Sequence, residues 1–182
     1  TCALPILNNL SNYNRIVNQR NHLLKEIDYN KGALETLDIW DIQLIQYGNK
    51  IIERRQKFIE EINKIISNIH KKLTGNREDI KIVYEPSNGA LSFEQALLKN
   101  KEKDLRIKST SVGPHRDDIA FLVSDIDIRK YGSQGQQRTA ALSLKLSEIE
   151  LVKQSIHDTP VLLLDDVLSE LDKHRQNYLL DS

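Results

Sequence analysis

No stretch of the 182 residues matches the phosphate-cradling pattern Gly-x-x-x-x-Gly-Lys-Ser/Thr. The chain has no methionine, not even an initiator, which leads us to expect an excised fragment. Cys2 is its single cysteine, so a disulfide framework and a thiolate metal site are excluded. A reducing, cytoplasmic compartment is the expectation. Aromatic residues are scarce at 5% and the apolar share is a modest 39%, which suits a long two-helix element better than a compact globule. Net charge is absent too, because 26 basic residues meet 26 acidic ones. No global field therefore draws the chain onto nucleic acid, and any such contact must come from a local patch. No run approaches the roughly 18 apolar residues of a membrane span, and no signal peptide opens the chain.

What is present begins with helical periodicity. Ile6, Leu10, Tyr13 and Val17 step by four, three and four, and Leu24 and Ile27 resume the stripe after polar Arg20. Asp28-Tyr29-Asn30-Lys31-Gly32 breaks it. A second stripe runs through Leu44, Tyr47, Ile51, Phe58, Ile62, Ile65, Ile69 and Leu73, with Gly75 placed for a left-handed cap. Taken from Asp38 to Leu73, this second helix would be about 50 Å long. Two long helices and a short joint predict an antiparallel, coiled-coil-like hairpin over residues 1–75.

After Gly75 the pattern turns mixed, so the fold class is α+β. Ile80 to Tyr84 alternates as a strand and stops at Pro86-Ser87-Asn88-Gly89. Phe93 to Leu105 predicts one helix capped by Ser92. Ile119 to Val123 is a strand, and Asp125 to Ile128 a return strand or turn. Gln134 to about Ile156 predicts a helix with Leu142, Leu146, Ile149 and Val152 on one face. Val161 to Leu164 is a short apolar strand of the buried parallel kind, and a last helix starts near Asp172.

Two places carry candidate chemistry. Ser133-Gln134-Gly135-Gln136-Gln137 opens a helix, where free N–H groups and the dipole favour an anion. Gly135 admits close backbone approach, and Ser133 can cap or donate to a phosphate oxygen. Simple N-capping also explains a serine there, but not three glutamines in four positions. Asp165-Asp166 ends the apolar strand, where α/β sheets gather ligands. One carboxylate there can hold Mg²⁺ and a second can activate water in phosphoryl transfer. An acidic turn at a helix N-terminus would look the same, so the pair alone does not decide.

Together these stretches resemble the RecF family. The similarity lies in Tyr131 through Thr139 with Leu142-Ser143-Leu144-Lys145, and in Leu162 through Asp172. It extends to Val112-Gly113-Pro114-His115-Arg116-Asp117-Asp118, to Tyr13 through Leu24 around Gln19-Arg20-Asn21, and to Trp40-Asp41 through Arg55. The resemblance implies residues 76–182 are the C-terminal part of an ABC-type ATPase head behind a hairpin arm. Ser133, Gln134, Gly135, Gln136 and Gln137 would be the signature that reaches the γ-phosphate in a partner's site. Asp165 would be the Walker B magnesium ligand and Asp166 the catalytic carboxylate, where most relatives of the wider class have glutamate. Ser169, Glu170 and Asp172 would belong to the D-loop. The phosphate-loop lysine and the Q-loop match nothing in this chain, and the histidine switch would lie beyond Ser182. ATP and Mg²⁺ would serve the complete protein, a weak DNA-dependent ATPase, and this chain alone is expected to be inactive.

By the same resemblance the complete protein dimerises on ATP and engages DNA at single-strand/double-strand junctions and gaps. It would work with RecR and RecO to help load RecA. An SMC/Rad50-like chromosome organiser is the alternative, but its arms are far longer than a hairpin closing within about 75 residues. An ABC transporter ATPase and a purely helical interaction module are the other competitors. His115 and Arg116 can contact a nucleotide, DNA or a partner subunit, or simply belong to a loop held by its own ion pairs. Lys50, Lys57, Lys64 and Lys71 recur every seven residues on one stripe. That stripe can track DNA phosphates, or be the solvated flank of an amphipathic helix diluted by Glu53, Glu60 and Glu61. His22, His70, His157 and His174 lack ligand spacing and read as structural or solvated.

Overall fold

A computed structural model describes residues 3–29 and 32–156. The chain divides into two compact units: Thr1–Gln56 with Tyr84–Asp118, and Lys57–Val83 with Ile119–Ser182.

The first unit is organised by α1 (Ala3–Glu26) and the leading half of α2 (Ala33–Thr74). Tyr13 lies beside Gly48 and Arg20 bonds Asp41, so one helix rises as the other falls and the hairpin is antiparallel. Helix α2 starts five residues before the expected Asp38, because Leu37 continues the stripe of Leu44 and Ile51 and is fully buried. Tyr13, Ile16 and Val17 pack with Leu44, Ile51, Phe93, Leu97 and Val112 in one core.

The expected single helix from Phe93 is two: α3 (Phe93–Lys99) and α4 (Lys101–Ile107). Ser92 and Gln95 close a reciprocal capping box at the start of α3. At the junction Asn100 turns both its backbone N–H and its side-chain amide to Ala96 O. Its own carbonyl then starts α4 by accepting from Asp104 N–H. Lys108, at φ 58, ends α4 in the left-handed region.

The second unit uses the other half of α2 along the same face. Phe58 is exposed, contrary to the expected stripe, whereas Ile62, Ile66, His70 and Leu73 are buried. From Ile51 to Ile62 is eleven residues, about three turns, so Ile62 keeps to the face of Ile51 while its partners are different ones. The helix ends in a Schellman motif, with Asn76 N–H on Lys71 O, Gly75 N–H on Lys72 O, and Gly75 at φ +62.

Strands β1 (Ile80–Glu85), β2 (Asp118–Val123) and β3 (Ile126–Asp127) form a sheet in the order β1-β2-β3. β2 and β3 pair antiparallel with Val123 opposite Ile126, which leaves Ser124 and Asp125 as a two-residue turn. Both have positive φ, 48° and 64°, the geometry that matches the twist of a hairpin. Asn63 on α2 donates to Ile82 O and accepts from Ile82 N–H, both at 2.8 Å, which satisfies the backbone of β1.

A short α5 (Ile128–Tyr131), capped by Asp127, leads to α6 (Gln134–Ile156). The most buried line of α6 is not the expected leucine face. Thr139, Ser143 and Ser147 are fully buried, each donating to the carbonyl four residues back. Satisfied inside the helix, these small side chains allow close packing without orphaned hydroxyls. Leu142 is buried with Leu73, while Val152 is exposed. No helix among the described residues is long and apolar enough to cross a membrane.

Candidate signature turn and other polar networks

The head of α6 is a capping box. Ser133 N–H donates to Gln136 Oε1 at 2.9 Å, and Gln136 N–H donates to Ser133 Oγ at 3.2 Å. Gln137 N–H reaches Ser133 O at 3.0 Å. Gln137 Nε2 turns back to Ile128 O at 2.9 Å, tying the turn to α5. Two of the three glutamines therefore have local structural duties. Gln134 and Gly135 are exposed, and their N–H groups find no partner among the described residues. A Cβ on Gly135 would meet nothing nearer than Ser133 Oγ at 3.9 Å. The chain's own packing thus gives no reason for a glycine in the first turn of a helix, where it costs about 1 kcal/mol relative to alanine. Ser133 Oγ accepts one bond and keeps its hydrogen to donate. The turn presents a donor-rich surface, open at Gly135, suited to an oxyanion.

The loop Val112–Asp117 is held from several sides within its own unit. Tyr13 Oη meets His115 Nδ1 at 2.7 Å, and His115 Nε2 lies 3.2 Å from Thr110 O. A carbonyl only accepts, so Nε2 carries the hydrogen and Nδ1 accepts from the tyrosine. Burial lowers the pKa of this imidazole from 6.5, in keeping with a neutral ring, and raises that of Tyr13. Arg55 donates to Pro114 O, and Asp117 accepts from Tyr84 Oη and from Ser87 N–H. Burial, then the bond to Asp117, raises the Tyr84 pKa. His115 is thus locked into the loop, whereas Arg116 is exposed.

The most heavily bonded charge in this unit escaped sequence reasoning. Arg20, which interrupts the α1 stripe, is fully buried. Its Nε donates to Asp41 Oδ1 at 2.6 Å, and Nη1 donates to Asp104 Oδ2 at 2.8 Å and Thr110 Oγ1 at 2.9 Å. Thr110 in turn donates from N and Oγ1 to Asn21 Oδ1, and Ser111 N–H donates to Asp104 Oδ1. A charge on the buried side of an amphipathic helix was the available signal, since such a charge needs carboxylate partners.

Of the heptad lysines, Lys50 lies 5.4 Å over the Tyr47 ring and Lys71 pairs with Asp79 at 3.3 Å. Lys57 and Lys64 are exposed. Asp165, Asp166, Ser169, Glu170 and Asp172 lie outside the described residues. Among the described residues no group of three or more His, Cys, Asp or Glu side chains can hold a metal ion.

Comparison with known proteins fits this geometry. No family model matches the sequence. The chain is similar to a solved structure of the recombination mediator protein RecF with ATP, in the RecFOR pathway. The TM-score is 0.88 at 38% identity, covering 97% of this chain and 50% of that one. The fold is therefore that of part of a recombination mediator protein. In sequence the chain is 58% identical over 176 residues to the DNA replication and repair protein RecF of Lachnoclostridium phytofermentans. To that of Lachnospira eligens it is 60% identical over 178 residues. It belongs to the RecF family. With 97% of its own length matched, the chain spans about half the length of these relatives, 49% in each case.

Proposed function

We propose that this chain supplies the signature side of an ATP site that closes across a dimer in a RecF-type recombination-repair protein. The observation that carries this reading is the head of α6. Among the described residues, two N–H groups without a partner, a serine hydroxyl with a hydrogen to give, and a glycine that no contact requires converge there. A γ-phosphate brought by a second subunit has the charge and the small radius such a turn accepts. The phosphate loop belongs to the part of the relatives that this chain does not span.

In this reading residues 1–75 form the arm and residues 76–182 part of the head. Asp165 holds Mg²⁺ and Asp166 orients or deprotonates the attacking water, while Ser169, Glu170 and Asp172 line the dimer interface. ATP closes the dimer on DNA at single-strand/double-strand junctions and gaps, and hydrolysis reopens it. RecR and RecO are the partners through which RecA is loaded, in the cytoplasm. The relatives' names, and the ATP and ATPrS in the structures the chain resembles, support this assignment. Arg116 and the lysines at 50, 57, 64 and 71 are the candidate contacts to DNA or to a partner.

Sequencing the gene upstream of Thr1 tests the split site. A Gly-x-x-x-x-Gly-Lys-Ser/Thr loop is expected there, and its absence from the complete product would overturn the reading. In that product Asp166→Asn is expected to stop ATP hydrolysis while sparing ATP-dependent dimerisation. Undiminished hydrolysis would favour a helical interaction module instead.

A further inference from the structure

The signature turn is braced by two residues that the family resemblance does not assign. Gln136 commits both ends of its side-chain amide within the chain. Its Oε1 accepts from Ser133 N–H, and its Nε2 donates to Glu78 Oε1 at 2.9 Å. Glu78 lies between α2 and β1, half-buried, with its other oxygen 3.5 Å from Nε2 of the fully buried His70. His70 is itself fixed from the far side, since Nδ1 lies 2.9 Å from Ser143 Oγ. Ser143 gives its only hydroxyl hydrogen to Thr139 O at 2.8 Å, so Nδ1 is the donor in that bond. A carboxylate accepts and never donates, so the 3.5 Å approach of Nε2 to Glu78 is an ion pair only when Nε2 also carries a proton. The backbone of Glu78 is anchored as well. Thr74 Oγ1 donates to His70 O at 2.8 Å and receives Glu78 N–H at 3.4 Å.

We propose that Glu78, backed by His70, is a positioning residue for the signature turn. It holds Gln136 in the capping box, so that the Ser133 hydroxyl and the N–H groups of Gln134 and Gly135 stay directed outward. The inference rests on the proposed reading of that turn as a phosphate-binding signature. It adds that the Gln136 side chain acts through the shape of the turn and does not itself contact phosphate. The two oxygens of Glu78 join the buried end of α2 to the head of α6 through one carboxylate.

The test is the ATP concentration at half-maximal dimerisation of the complete protein, measured with the thermal midpoint of each variant. Loss of a charge-assisted bond in Glu78→Ala is expected to raise that concentration about tenfold. Glu78→Gln keeps an acceptor for Gln136 and is expected to recover most of the loss, to within about threefold of wild type. Gln136→Glu preserves the capping box but sets a carboxylate against Glu78, and is expected to raise that concentration about tenfold as well, which keeps a readout if Glu78→Ala fails to fold. Unchanged dimerisation in Glu78→Ala or Gln136→Glu, with Ser133→Arg abolishing it, would overturn the positioning role alone. Loss that merely follows the thermal midpoint, without recovery in Glu78→Gln, would also overturn it. Wild-type protein that does not dimerise on ATP would overturn the underlying reading.

Discussion

An alanine at Gly48 is expected to weaken the chain, although in most helix interiors the same exchange strengthens it by about 1 kcal/mol. The added Cβ would stand 2.4 Å from Phe93 Cε1, 2.8 Å from Phe93 Cδ1 and 3.3 Å from Tyr13 Cε2. Carbon atoms pack best at about 3.5–4.0 Å, so both rings must retreat. Neither has room to do so. Phe93 and Tyr13 are buried, and the tyrosine hydroxyl is tied to His115 Nδ1 at 2.7 Å. Overpacking a filled core costs about 1–3 kcal/mol, and a Cβ contact under 3.0 Å belongs to the upper part of that range, about 2–3 kcal/mol. This leaves a net loss of about 1–2 kcal/mol after the propensity gain. For a chain of this size each kcal/mol moves the thermal midpoint by about 2–4 °C. Urea titration followed by far-UV circular dichroism reads the difference. Gly135→Ala is the control, because the nearest atom to its Cβ is 3.9 Å away, and it is expected to gain up to about 1 kcal/mol. A Gly48→Ala variant as stable as wild type, or more so, would refute the reasoning that α1, α2 and α3 close on this glycine.

Arg20→Met should be costly, because it leaves Asp104 fully buried, and Asp41 largely so, without a counter-charge. Breaking such a buried network by one partner costs about 3–5 kcal/mol, and a loss below about 1 kcal/mol in the same titration would contradict it. His115 gives a pH dependence whose sign follows from its lowered pKa. Between the folded value and 6.5 the unfolded chain binds more protons, so stability is complete above about 6.5 and falls as pH drops below it. His115→Gln should flatten the urea midpoint between about pH 7.5 and 5.5, whereas an unchanged slope would assign it to other groups. If the lysines track DNA, Lys57→Gln with Lys64→Gln should lower the slope of log affinity against log salt by about 0.9 for each phosphate no longer neutralised. An unchanged slope would make them a solvated flank.

The helical elements were legible because their signals are local and repeated. The α1 stripe, the Gly75 cap, the Ser92 cap and the head of α6 can all be read from spacing and residue type. Features that depend on distant partners were not. Arg20 looks like a polar interruption until Asp41 and Asp104 are brought to it. The partners of the buried α2 face change after Ile51, from α1 to a sheet and α6, and no periodicity within α2 announces that. Ser124-Asp125 makes a hairpin turn without the glycine that usually marks one. On α6 the leucines drew attention, yet the small hydroxyl residues are the more deeply buried line. At the candidate site, Ser133 caps α6 as its residue type suggests, while Gln136 is engaged by Glu78, fifty-eight residues away in sequence.

The claim that Ser133–Gln137 completes an ATP site across a dimer is tested most directly by sedimentation velocity of the complete protein with ATP. ATP binding is measured in parallel on wild type and Ser133→Arg. The variant is expected still to bind ATP as a monomer but no longer to dimerise. A Ser133→Arg protein that dimerises at the wild-type ATP concentration would contradict it.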